Sequence, residues 1–286
     1  MNNFCSLCPN FCKIDKEKEK GFCGTDNKIK IAKFYLHPFE EPLVSGQNGS
    51  GTVFFCGCSL KCVFCQNYEL SRNLRGKEIS VSELADIFKK LEDMGAHNIN
   101  LVSPTHFSNK IIKALELYKP KVPVVYNTHG YENVDIIKGL LPYVDVFLPD
   151  VKFFSPTISK RYCGKENYFE ITSKAVSAMM EKPLIIGDDN LIKSGVIVRH
   201  LVLPTCTFDS KKILDWFSTF KDKAHINIMS QYTPFGDIKN HPELSRKITK
   251  REYNSVVDYA ISLGIDKAFY QAFLSASEEY IPRWDY

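Results

Sequence analysis

Thr52-Val53-Phe54-Phe55-Cys56-Gly57-Cys58-Ser59-Leu60-Lys61-Cys62-Val63-Phe64-Cys65 is the stretch that decides the architecture. Its first five residues are a near-continuous apolar run, the pattern of a parallel strand covered on both faces. A loop with three cysteines follows, Cys58-x3-Cys62-x2-Cys65. A strand that ends in a ligand-bearing loop ahead of a helix is the opening unit of an α/β sheet. The sites of such sheets collect at the carboxyl ends of the strands.

The unit recurs downstream. Apolar runs at 99–103, 122–126, 144–148, 196–203 and 225–229 read as further strands. Amphipathic helices lie between them. Ser80 and Glu83 form a capping box ahead of Leu84, Ile87, Phe88 and Leu91, with Gly95 as the stop. Thr249 and Glu252 repeat the device before Tyr253, Val256, Val257 and Ala260, and comparable spacing occurs near 108–118, 166–180 and 209–220. Six βα-like units predict an α/β fold, a partial (β/α)6 parallel barrel over residues 47–286. Residues 1–46 are expected to form a small cysteine-rich, metal-binding module and linker. Within them, residues 28–34 alternate as a half-exposed strand should, and His37-Pro38-Phe39-Glu40-Glu41-Pro42 reads as extended.

The chain has 286 residues, 44% hydrophobic and 24% charged, with a net charge of +4 spread along its length. That composition suits a globular protein, and the dispersed lysines read as solvated faces and not as a nucleic-acid surface. No run of apolar residues is long enough to span a bilayer, and Met1-Asn2-Asn3-Phe4-Cys5 lacks the features of a secretory leader. The expectation is therefore a cytoplasmic protein without a membrane partner. Thiols stay reduced there, so ten cysteines point to metal or cluster ligands before disulfides. Eight of the ten lie within the first 65 residues; Cys163 and Cys206 are isolated and read as ordinary.

Three thiolates on one tight loop can converge on a soft metal centre. On a four-iron cubane they leave one iron open for a cofactor or substrate. The competing arrangement is a structural zinc held by Cys56, Cys58, Cys62 and Cys65. Zinc ribbons place ligand pairs on separate knuckles, and Cys56 lies inside an apolar strand, which weighs against it. At the N-terminus, Cys5-x2-Cys8-x3-Cys12 and Cys23 supply four thiolates in nineteen residues. So short and lysine-rich a segment has little core, so a second metal is expected to organise it. Zinc and an auxiliary iron–sulfur cluster both suit four thiolates; the knuckle-like Cys8-Pro9 and Cys23-Gly24 tilt the reading toward zinc.

Cys58-Ser59-Leu60-Lys61-Cys62-Val63-Phe64-Cys65-Gln66-Asn67 resembles the signature of the radical S-adenosylmethionine (radical SAM) superfamily. More narrowly, the chain resembles proteins described as pyruvate formate-lyase-activating-enzyme-like. The likeness runs through Gly49 to Cys58, Ser103-Pro104-Thr105-His106, Tyr126 to Tyr131, Leu148-Pro149-Asp150-Val151-Lys152, Arg199 to Pro204 and Ser230-Gln231-Tyr232. The resemblance implies a 4Fe–4S cluster on Cys58, Cys62 and Cys65, with S-adenosylmethionine (AdoMet) chelated to the open iron. It also implies reductive cleavage of AdoMet to a 5′-deoxyadenosyl radical and hydrogen abstraction from a substrate. An electron donor such as flavodoxin or ferredoxin is then needed, with a glycine of a glycyl radical enzyme as the favoured target. A small molecule or a peptide is the rival substrate. A non-catalytic iron–sulfur carrier or metal-bound interaction module is the rival from another class.

The same resemblance places Phe64 near the adenine. Ser103 and Thr105 follow the second strand, where the superfamily usually carries Gly-Gly-Glu. Asn127 ends the third strand, and Gln231 follows the sixth. Asp150 and Lys152 resemble the Asp-x-Lys step of glycyl-radical activases; two residues apart on a strand end, they share one face and suit the zwitterionic methionyl end. His200, in the fifth strand, completes the expected AdoMet-binding set.

Overall fold

The computed structural model describes residues 4–270. The elements, in chain order, are β1 (Ile29–His37), α1 (Pro42–Ser45), β2 (Ser50–Phe55), α2 (Tyr68–Ser71), β3 (Lys77–Ile79), α3 (Val81–Asp93), β4 (Ile99–Val102) and α4 (Ser108–Leu117). Then come β5 (Val124–Thr128), α5 (Val134–Leu140), β6 (Val146–Pro149), α6 (Pro156–Cys163), α7 (Tyr168–Met179) and β7 (Ile185–Ile186). β8 (Ile192–Leu201), α8 (Thr207–Phe217), β9 (His225–Met229), α9 (Lys250–Ser262) and β10 (Ala268–Tyr270) complete the set.

All six expected strands form, and they lie in the order β2-β4-β5-β6-β8-β9, each parallel to the next. β10 adds a further parallel strand beside β9. The sheet is a partial barrel, open at the β10 side and extended at the other by β1, which is antiparallel to both β2 and β3. The half-exposed strand expected in the N-terminal segment is thus longer than 28–34 and belongs to the main sheet. The linker after it is extended only briefly before α1 begins at Pro42.

Helix boundaries follow the local chemistry. In α3 the Ser80 hydroxyl accepts from the Glu83 amide while Glu83 accepts from the Ser80 amide; Thr249 and Glu252 do the same for α9. Gly95, at φ +86°, ends α3. The main core lies between the sheet and the helices, where outward-facing Val53, Leu101, Tyr126, Phe147, Val198 and Ile228 meet helix residues such as Phe88, Ile111 and Phe217. A second, smaller core fills the inside of the curve: Val125, Val146, Leu148 and Ile197 pack on Leu43 and Val44 of α1. Strand alternation therefore sends Asn127, Asp150, Arg199 and Asn227 to the inner face, above that plug. No helix among the described residues is long and apolar enough to cross a membrane.

Candidate active site

The loop after β2 is held on every side. Gly57 has φ +92°, and a side chain there would run into the Cys23 carbonyl at 2.8 Å and Thr25 at 2.7 Å. The Cys58 amide donates to that same carbonyl at 3.2 Å, and Asn10 donates to the Ser59 carbonyl at 2.7 Å. From the far side, the Asp237 amide donates to the Val63 carbonyl at 2.7 Å, and the Val63 amide donates to Tyr162. Arg72 reaches the Lys61 carbonyl at 2.6 Å. The loop is thus wedged between the N-terminal segment and the chain after β9.

Cys58, Cys62 and Cys65 all line one cavity of about 200 Å³ at the carboxyl ends of the strands. Burial pushes the Cys58 thiol up to about 12 and raises Cys65 as well. A hydrogen bond with Cys163, added to burial, holds Cys62 well above its ordinary value. Buried thiols of this kind ionise only against a cationic centre. Among the described residues, no three His, Cys, Asp or Glu side chains converge to hold a single metal ion. Cys58, Cys62 and Cys65 supply three soft thiolate donors from one short loop to one cavity, a donor set that suits three irons of a four-iron cubane. Cys56 is absent from the cavity wall; its thiol donates to the Arg75 carbonyl at 3.1 Å. The N-terminal cysteines likewise make no preformed single-ion site, although the Cys12 and Cys23 sulfurs would lie 3.6 and 3.5 Å from a Cβ on Gly21.

Opposite the cysteines lies a charged array. Asp150 accepts from Lys152 Nζ at 2.5 Å on one oxygen and from Arg199 Nε at 2.8 Å on the other. Arg199 also donates to Asn127 Oδ1 at 2.6 Å and lies 3.6 Å from Glu40. Burial would raise the Asp150 carboxyl, but Arg199 and Lys152 together hold it below its usual value. Both cations are raised in turn, burial opposing and the Asp150 charge prevailing.

The other expected residues divide. Phe64, Ser103, Asn127, Asp150, Lys152 and Gln231 line the cavity. Phe64 sits among Phe153, Tyr162 and Tyr232 with ring centroids 6.0–6.3 Å apart. Ser103, just past the end of β4, has φ +58°, a left-handed conformation more natural to glycine. Thr105 is not on the cavity wall; it is buried and donates to Glu132 at 2.6 Å. His200 is a correction. It projects to the helix side of β8, where Nδ1 meets the Val151 carbonyl at 2.7 Å and Nε2 meets Ser210 at 2.8 Å. Both ring nitrogens are thereby occupied, and burial lowers the imidazole to about 4, so it stays neutral and structural. Its neighbour Arg199 takes the inward position.

Glu40, Arg199, His129 and Ser59 were not picked out as site residues. Arg199 was legible as the odd charge in an apolar strand. His129 lines the cavity and pairs with Ser59 of the cysteine loop at 2.7 Å; its Nδ1 accepts from the Tyr131 amide, which leaves the proton on Nε2 to donate to Ser59. Burial lowers His129 to about 4, so that assignment holds at neutral pH.

The radical SAM superfamily model matches residues 52–217. An uncharacterized protein of Methanocaldococcus jannaschii is 34% identical over 92% of this chain and 75% of its own length. The pyruvate formate-lyase-activating enzyme of Clostridium pasteurianum is 28% identical over 62% of this chain and 71% of that enzyme. In fold, the chain is similar to the crystal structure of Streptococcus suis SuiB bound to S-adenosylmethionine, with a TM-score of 0.53 at 14% identity. That alignment covers 78% of this chain and 50% of SuiB, so the chain spans half the length of that protein. With a matched region that opens at Thr52, contains all three loop cysteines and takes in more than half of the sequence, the chain belongs to the radical SAM superfamily.

Proposed function

We propose that the chain is an activase-like radical SAM enzyme whose target is a glycine of a partner polypeptide, reduced for turnover by a flavodoxin or ferredoxin. The observation that carries this reading is the single cavity in which Cys58, Cys62 and Cys65 face Asp150, Lys152 and Arg199. The similarity to the Clostridium pasteurianum activating enzyme supports the choice of partner.

When bound, the cluster and AdoMet supply one-electron cleavage and hydrogen abstraction. The protein's contribution is positional. Cys58, Cys62 and Cys65 would hold three irons. Lys152 and Arg199, oriented by Asp150, can meet a carboxylate with charge-assisted hydrogen bonds, and Asn127, Ser103 and Gln231 offer neutral partners for amine and ribose. Phe64 gives the adenine an apolar wall. His129 steadies the loop through Ser59. The buried aromatic surround of Phe64, Phe153 and Tyr232 limits water around the reacting atoms.

For the N-terminal set we propose a metal that closes on loading. Four thiolates, with the knuckle-like Cys8-Pro9 and Cys23-Gly24, favour structural zinc over an auxiliary iron–sulfur cluster, and metal analysis of a triple alanine variant of the loop cysteines distinguishes the two.

The functional test is anaerobic. Reconstituted protein, AdoMet, reduced flavodoxin and a glycyl radical polypeptide from the same organism should together give deoxyadenosine and a carbon-centred radical signal on the polypeptide. Deoxyadenosine without that signal would favour a small-molecule or peptide substrate. Neither AdoMet binding nor deoxyadenosine would leave the carrier reading.

A further inference from the structure

The segment before α1 carries Glu40 and Glu41 into the inside of the sheet's curve, a place where acidic groups are costly unless paired. Among the described residues, three carboxylates meet two cations there. Asp150 takes both cations, Arg199 and Lys152. Glu40 shares Arg199 at 3.6 Å and accepts from Asn127 at 3.3 Å. Glu41 is left with the Asn227 amide as its side-chain partner. Burial pushes its carboxyl up to about 7, with the Arg199 charge opposing.

A cleft of about 560 Å³ opens at this point. Glu40, Glu41, Asn227 and Gln231 line it, with Phe39 and Tyr270 as aromatic walls. Asn227 is 3% exposed and its amide nitrogen donates to Glu41, while its carbonyl oxygen has no partner. The Glu41–Asn227 corner of the cleft therefore offers a carboxylate and a carbonyl oxygen as acceptors. It also adjoins the cofactor cavity: Gln231 lines both, and Glu40 binds two residues of the cavity wall.

We infer that this cleft receives the substrate through a cationic nitrogen, a primary ammonium or a guanidinium, seated between the Glu41 carboxylate and the Asn227 carbonyl oxygen. The inference rests on the functional reading above, since the adjoining cavity must hold AdoMet for the cleft to be its substrate side. A cation there balances the third carboxylate and meets the unpaired oxygen at once, and the aromatic walls suit an alkyl stem with a charged head. The sources of such a group are a small amine or a basic side chain of a peptide.

The test uses the reconstituted full chain at pH 8 with AdoMet present. Calorimetric or saturation-transfer titrations compare n-butylammonium and methylguanidinium with neutral n-butanol. End-blocked Gly-Lys-Gly is compared with end-blocked Gly-norleucine-Gly. Both the parent protein and Glu41→Gln are titrated, with circular dichroism melts to verify folding. Glu41→Asp, which keeps the charge, serves as the second variant. Cationic probes should bind the parent more tightly than their neutral counterparts and weaken about tenfold or more in Glu41→Gln, with Glu41→Asp intermediate. Tighter binding of the lysine peptide than of the free amines assigns a peptide source; the reverse assigns a small amine. Equal binding of charged and neutral probes, or parent-like binding by a folded Glu41→Gln, overturns the inference. A separate AdoMet titration of the parent, read by cluster EPR, reports on the functional reading. If AdoMet fails to bind, that reading falls and takes the substrate assignment with it; if AdoMet binds and the probes do not discriminate, only the cleft assignment falls.

Discussion

Arg199 Nε donates to Asp150 Oδ1 at 2.8 Å, across the ends of two strands that pair in parallel at this point. With Lys152 on the other oxygen, Asp150 has its two strongest partners within the protein. Its part in binding AdoMet is then to orient two cations. Asp150→Asn takes the carboxylate from Lys152 and leaves Arg199 with Glu40 at 3.6 Å, and removing one member of such a buried ionic group destabilises by about 3 kcal/mol. AdoMet affinity should also fall by about tenfold or more. A surface pair would give less than about 1 kcal/mol. Urea unfolding and AdoMet titration separate the two. Because the folded carboxyl is held below its usual value, its contribution is present above the ordinary carboxylate range and is lost as pH falls through the depressed folded value.

Cys58→Ala, Cys62→Ala and Cys65→Ala should each lose the iron of the loop cluster and deoxyadenosine formation. Cys56→Ala should keep both, since that thiol is bonded to the Arg75 carbonyl away from the cavity. Iron analysis and EPR of the reconstituted variants provide the measurement, and iron loss in Cys56→Ala would revive the four-cysteine zinc-like arrangement.

Glu132 is fully buried, with one carboxylate oxygen taken by Thr105 and Thr128 and the other unpartnered. Burial raises it to about 7. A group raised on folding contributes its stability below the unfolded carboxylate pKa, and that stability is lost as pH rises through about 7. Glu132→Gln should therefore be more stable than the parent at pH 8, by up to about 3 kcal/mol, and show a flatter profile from pH ~4.5 to 7. Thermal melts across that range check the slope.

His200→Ala should destabilise the fold by about 2–4 kcal/mol, through a cavity and an orphaned Val151 carbonyl, while Ser210 keeps its bond to the Cys206 carbonyl. The AdoMet dissociation constant of the folded variant should match the parent's. In the parent, the lowered imidazole value gives the opposite sign to Glu132: stability is present above the unfolded pKa of about 6.5 and is lost as pH falls through about 4. His200→Ala removes that acid sensitivity.

Much of this molecule could be read from residue order. Continuous apolar runs identify parallel strands because both faces of such a sheet are covered, and all six formed. Capping boxes at Ser80 and Thr249 are local chemistry and needed no tertiary knowledge. The cysteine spacing in the loop after β2 is local in the same sense: one short loop must bring its own thiolates together. β10 was missed because a three-residue strand carries too little pattern, and the fate of β1 depended on which edge of the sheet lay open to it.

The sequence by itself determined the repeating βα order and the position of the cysteine loop at a strand end, because each depends on periodicity along a single segment. Only the tertiary structure decided between Arg199 and His200, which share a strand, since alternation says that they face opposite sides but not which side is the cavity. It also decided that Glu40 and Glu41 enter the barrel interior and that the Cys23 carbonyl meets the Cys58 amide. Those contacts join segments far apart in the chain, and their chemistry becomes visible only when packing brings charge, burial and hydrogen-bond deficit to one place.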